Sequence, residues 1–120
     1  MERDIKDDDD IRILVDAFYR RAAMDDLLGP IFLDITDSGA HKEVLYTYWS
    51  KTLLQERPDP GLRFPGHIEL MFSSQHFIRW LTLFLQTIDL FYSGPTAEKA
   101  KVIVIKKSEE FQSKLALSRF

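Results

Sequence analysis

Few side chains in this chain could do chemistry. It has three histidines, His41, His67 and His76, and no cysteine. Without thiols there are no disulfides, thiolate zinc sites, iron–sulfur clusters or thioether-attached cofactors, so imidazole and carboxylate are the metal ligands on offer. His67 follows Pro65-Gly66 and is backed by Ile68, Leu70 and Met71, which sets an imidazole against an apolar patch. A lone histidine in that setting is more often a packed or surface residue than a ligand. His76, directly before Phe77, reads as a helix-start or surface histidine, and His41 as a capping or exposed one. The run Asp7-Asp8-Asp9-Asp10 could hold a cation, but four carboxylates just ahead of an apolar run suit a solvated helix start better. Tyr19 and Trp80 each have a plain reading as core aromatics with a polar tip.

Helices must position these groups. Ile11, Leu14, Val15 and Phe18 recur at helical spacing, Tyr19 and Ala22 extend the face, and Gly29-Pro30 is expected to end that helix. Residues 31–39 read as a helical turn and loop, with Asp37 or Ser38 as a cap. A second long helix is predicted over about 40–55, with His41, Leu45, Tyr48, Trp49 and Thr52 on one face. The prolines of Glu56 to Gly61 break it, and a short element carrying His67 follows. Ser73-Ser74 caps a third long helix over about 75–91, whose stripe is Phe77, Trp80, Leu81, Phe84 and Ile88. Apolar over much of its girth, it should be the central, most buried helix. The last helix is predicted over about 96–115. Its Val102-Ile103-Val104-Ile105 run has strand-like composition, but the charged, helix-favouring flanks decide for helix. The class is all-α.

Composition narrows the partners. At 120 residues the chain makes one domain, 1–120, with residues 1–10 as an acidic extension or helix start. A net charge of -3 gives no basic footprint for nucleic acid. No targeting signal is visible, and the apolar region from Trp80 to Phe91 is broken by Thr82, Gln86, Thr87 and Asp89, which argues against a membrane span and for a cytoplasmic protein. Nine Phe, four Tyr and two Trp can line a large apolar cavity or pack a dense core.

Tyr19, His41, His67 and Trp80 lie on separate helical segments, each facing the expected interior, and their coincidence calls for a joint account. Here the sequence resembles the truncated haemoglobins of the third group, from about Ile11 to Phe111. The resemblance rests on Phe18-Tyr19-Arg20 followed by Leu28-Gly29-Pro30-Ile31-Phe32, on His41 with Trp49, and on His67 with Leu70. Its longest piece is His76-Phe77-Ile78-Arg79-Trp80-Leu81-Thr82-Leu83-Phe84, leading to Thr87, Asp89 and Gly94-Pro95-Thr96-Ala97-Glu98-Lys99-Ala100-Lys101. No single piece is decisive; their order and spacing together are specific.

The resemblance implies a truncated globin fold, a two-over-two helical sandwich around a b-type haem (iron protoporphyrin IX). It aligns His67 with the proximal iron ligand and Tyr19, His41, Leu45 and Trp80 with the distal pocket. Phe32, Trp49, Phe64, Leu70 and Phe84 are the implied haem-lining residues. The chain departs from the family at Arg63, where a proline commonly stands, and at Tyr48, a common phenylalanine; Arg63 is a candidate partner for a haem propionate. The implied function is reversible binding of dioxygen and related diatomic ligands, carbon monoxide and nitric oxide among them. One alternative is a haem enzyme, peroxidase-like or a nitric oxide dioxygenase, served by a reductase and able to meet peroxide. The other is a cofactor-free helical interaction module. A monomer or weak dimer is expected.

Overall fold

An aspartate-rich start, three apolar stripes at helical period and a glycine-proline turn on either side of the middle dictate an architecture of packed helices. The computed structural model describes residues 3–33, 38–55 and 73–117. These residues form Asp8–Met24 (α1), Gly29–Leu33 (α2), Ser38–Leu53 (α3), Ser74–Phe91 (α4) and Pro95–Leu117 (α5). Among the described residues there is no strand; the one bridge joins Arg3 to Tyr92.

The helices form two antiparallel pairs. In the first, Asp8, Asp16 and Tyr19 of α1 meet Ser50, Tyr46 and His41 of α3 in reverse order. In the second, Asp89 near the end of α4 pairs with Lys101 early in α5 at 2.5 Å, while Phe77 at the start of α4 stacks on Phe111. The pairs meet where Phe18 of α1 packs on Trp80 and Phe84 of α4. The core is drawn from every helix, with Leu14, Val15 and Phe18 of α1 alongside Trp49, Trp80, Ile88, Ala100 and Val104.

Four expectations are modified. First, α1 ends at Met24, and Gly29-Pro30 opens α2 rather than closing α1. Asp25 turns the corner: its carboxylate accepts from the N–H groups of Leu27 and Leu28, and its carbonyl from that of Gly29. Gly29 is needed because a Cβ there would lie 2.9 Å from the Ala23 carbonyl oxygen, and Pro30 sits in a first turn where no N–H is required. Second, among the described residues α1 rather than α4 is the hub. It packs against α2, α3 and α4, whereas α4 packs mainly against α1 and α5 and leaves Ile78 and Leu90 exposed.

Third, the acidic run is not uniformly solvated. Asp7 caps α1 by accepting from the Asp10 N–H, yet the Asp10 side chain is fully buried. It accepts from Arg3 at 2.6 Å and from the Lys6 N–H at 3.0 Å, while the Tyr92 hydroxyl donates to the Asp10 carbonyl at 3.0 Å. Burial and the neighbouring Asp10 push the Tyr92 phenol up to about 12. Fourth, within the stretch expected as an acidic extension or helix start, residues 3–7 precede α1 and pack at the α4–α5 corner. The Ser93 N–H donates to the Arg3 carbonyl, Ile5 is buried, and the Asp4 carboxylate accepts from the N–H groups of Thr96 and Ala97 at 2.9 and 2.8 Å. Asp4 therefore caps α5 from ninety-odd residues upstream, across a turn whose Gly94 adopts φ 139°. The strand-like run in α5 is helical, as its flanks demanded; Val104 faces the core and Val102 the solvent.

Burial alone would raise the Asp4 pKa, but the bonds from Thr96, Ala97 and Ile5 outweigh it and hold the carboxyl below its usual value. A depressed folded-state pKa means the cap stabilises fully above the unfolded carboxylate value of about 3.9 and is lost as pH falls through the folded value. Asp4→Ala is therefore expected to cost about 1–2 kcal/mol at pH 7 in urea unfolding, with the difference from the parent closing only at strongly acidic pH. A difference that persists unchanged to pH 2 would count against the carboxylate cap.

Candidate functional site

Adjacent residues on a helix point about 100° apart, and the site is built on that offset. Phe18 faces α4, and Tyr19 turns toward α3. Phe32 of α2 covers both, its ring centroid 5.9 Å from Phe18 and 5.2 Å from Tyr19, each at 82°. The His41 ring, in the first turns of α3, lies 5.6 Å from the Tyr19 ring, and Leu45 is buried one turn further on. Trp80 of α4 meets Phe18 edge-on at 6.5 Å and 89°, and Phe84, one turn later, lies 4.8 Å from Phe18 and 5.2 Å from Trp49.

The structure therefore brings together Tyr19, Phe32 and His41 directly, and Trp80, Phe84 and Trp49 as a neighbouring group, with Phe18 and Phe32 joining them. Leu45 belongs to the same core. His67, Phe64, Leu70 and Arg63 lie outside the described residues. His76 is a helix-start residue: its Nδ1 lies 2.7 Å from the hydroxyl of Ser73, the N-cap of α4. Among the described residues no group of three or more His, Cys, Asp or Glu could hold a metal ion, and no helix is long and apolar enough to cross a membrane.

The polar atoms of this aromatic wall are deeply placed. The Tyr19 hydroxyl, both His41 ring nitrogens and the Trp80 indole nitrogen are buried, and the Tyr19 hydroxyl has no hydrogen-bond partner among the described residues. Burial raises the Tyr19 pKa and lowers that of His41. Tyr19 is thus a neutral donor and His41 a neutral imidazole at pH 7, able to donate from one nitrogen and accept at the other. Such a wall can orient a small polar molecule while excluding bulk water.

Two participants were not foreseen. Phe18 stood inside a quoted motif, but its place as the joint between both groups depends on how α1 docks on α4. Lys42, beside His41, holds its ammonium 5.1 Å from the Tyr19 ring centroid; an arrangement across two helices leaves no signal in local spacing.

No protein-family model matches the chain. A curated protein, Group 3 truncated hemoglobin ctb of Campylobacter jejuni, is 26% identical over 106 residues, which cover 83% of this chain and 80% of that protein. A crystal structure of group III truncated hemoglobin from Campylobacter jejuni superposes with a TM-score of 0.78 at 24% identity, over 96% of this chain and 95% of that one. The fold is that of the truncated globins, and the resemblance read from the sequence to the third group holds along most of the chain.

A buried donor without a partner costs about 1–3 kcal/mol. In the ligand-free protein Tyr19→Phe is accordingly expected to stabilise by about 1 kcal/mol, read as a higher urea midpoint at unchanged slope. A clear loss of stability would show that the hydroxyl is already satisfied.

Proposed function

We propose that this chain is a haem protein that reversibly binds dioxygen and related diatomic ligands, with His67 as the protein ligand to iron and Tyr19, His41, Leu45 and Trp80 facing the bound gas. The observation that carries the reading is the buried Tyr19 hydroxyl without a partner among the described residues, set in an apolar aromatic wall. A donor left in that state fits an acceptor that arrives from outside, and the likeness to group 3 truncated haemoglobins supports a haem-borne diatomic molecule as that acceptor. A haem held there would supply an iron centre able to bind small diatomic ligands. With no cysteine in the chain, the group would be b-type, held by coordination and packing alone.

The residues divide the work by chemistry. Neutral imidazole at His67 would ligate iron without adding charge, its other ring nitrogen needing an acceptor. Phe32, Trp49 and Phe84, with Phe64 and Leu70, offer the apolar faces against which a porphyrin plane would pack. Tyr19 and Trp80 are donors, and neutral His41 is a donor or an acceptor according to its tautomer. Each hydrogen bond to a partly charged ligand contributes about 1.5–3 kcal/mol, roughly tenfold or more in retention. Two or three together would make release slow, which favours ligand chemistry, sensing or scavenging over bulk carriage.

Absorption spectra of the ferric, ferrous and carbon monoxide-bound protein are expected to show a Soret band that His67→Ala weakens or abolishes. Tyr19→Phe and Trp80→Phe should each speed dioxygen dissociation by about tenfold, measured by stopped flow. A protein that takes up no haem would instead be a helical interaction module. Rapid loss of nitric oxide in the presence of dioxygen, with a reductase sustaining turnover, would move the same residues into the enzyme class.

A further inference from the structure

Two neighbouring residues of α3 approach the Tyr19 ring. His41, kept neutral by burial, has its ring 5.6 Å away. The Lys42 ammonium lies over the ring, 5.1 Å from its centroid. Lys42 is half-buried and makes no ion pair among the described residues. The carboxylate next to it in sequence, Glu43, is instead directed to Arg12 at 3.7 Å. The Tyr19 residue is only 6% exposed, so a cation on its face acts with less solvent screening than at the open surface.

We propose that Lys42 is a positioning residue for Tyr19, fixing the ring by cation–π contact and biasing the pocket toward ligands that gain negative charge on binding. The inference rests on the haem reading above and deepens it. A positive charge over a phenol ring draws electron density from the hydroxyl oxygen and makes the O–H a stronger donor. Its long-range field also favours negative charge in the pocket directly. Both effects act on dioxygen, which takes up negative charge when bound, and scarcely on carbon monoxide, which does not.

The test compares the two gases in the holoprotein. Lys42→Met keeps the stem and removes the charge; it is expected to speed dioxygen dissociation by about threefold and leave carbon monoxide dissociation within about 1.5-fold, and Lys42→Arg is expected to restore the parent rate. A purely structural role would move both gases together. Independently of rates, the ε-methylene protons of Lys42 should show an upfield ring-current shift in the NMR spectrum of the carbon monoxide complex, lost in Tyr19→Leu. A normal Soret band with unchanged dioxygen rates, equal effects on both gases, no rescue by arginine, or no ring-current shift overturns this role of Lys42 and leaves the haem reading standing. Absence of a Soret band overturns both.

Discussion

The packing of the Phe18 ring is the contact on which the rest of the molecule turns. Its centroid lies 4.8 Å from Phe84, 5.9 Å from Phe32 and 6.5 Å from Trp80, the last two at 82° and 89°. Edge-to-face pairs are directional and contribute about 0.5–1.5 kcal/mol each beyond the area they bury. With partners on α2 and α4, the ring resists rotation of α1 about its own axis. That fixes the direction of the next residue, Tyr19, toward α3. Trp80 and Phe84, one turn apart on α4, are fixed by the same ring from the other side. The geometry of the polar groups is therefore a consequence of apolar packing rather than of bonds among themselves.

The opposite end of these helices is held by carboxylates. Within one acidic run Asp7 caps α1, Asp8 accepts from Ser50 of α3 at 2.5 Å, and Asp10 goes inside to gather Arg3, the Lys6 N–H and Tyr92. Asp4 adds the cap of α5. Removing one partner from a buried charged cluster costs far more than the cluster contributes against an apolar replacement, so its worth lies in register. It sets where α1 begins relative to the α4–α5 corner, and the aromatic joint around Phe18 sets how α1 lies against α4. Two points of contact suffice to fix one helix against another.

The elements were legible where a property repeats along the chain. Ile11, Leu14, Val15 and Phe18 announce α1 by period, and Ser73 and the Pro95 turn mark the ends of α4 and α5 by local chemistry. Gly29-Pro30 misled because both residues break a helix from one side and start one from the other; what decides is Asp25 four residues earlier, which closes the turn. Burial of Asp10 was illegible for a related reason: its partners Arg3 and Tyr92 lie seven and eighty-two residues away, and composition makes the four aspartates equivalent. At the site, Tyr19, His41 and Trp80 were singled out by facing direction and by resemblance, while nothing in the local spacing drew attention to Lys42. Periodicity finds the face on which a residue lies. It cannot find which atom of another helix that face will meet.

That distinction bears on how such a pocket would work. Tyr19 would donate from a ring that has Phe32, His41 and Lys42 around it, so little rotamer freedom would remain to be lost when an acceptor arrived. The cost of the buried hydroxyl is borne in advance by the aromatic core, and a ligand that accepts from it gains nearly the whole interaction. A freely rotating tyrosine at a pocket mouth would give back part of that gain in entropy. Under the haem reading, retention of a polar ligand would then depend on confinement as well as on donor number, and loosening the packing around Phe32 should weaken the same hydrogen bond that removing the hydroxyl abolishes. The aromatic wall and the polar donor are one device, because the first sets how much of the second is realised.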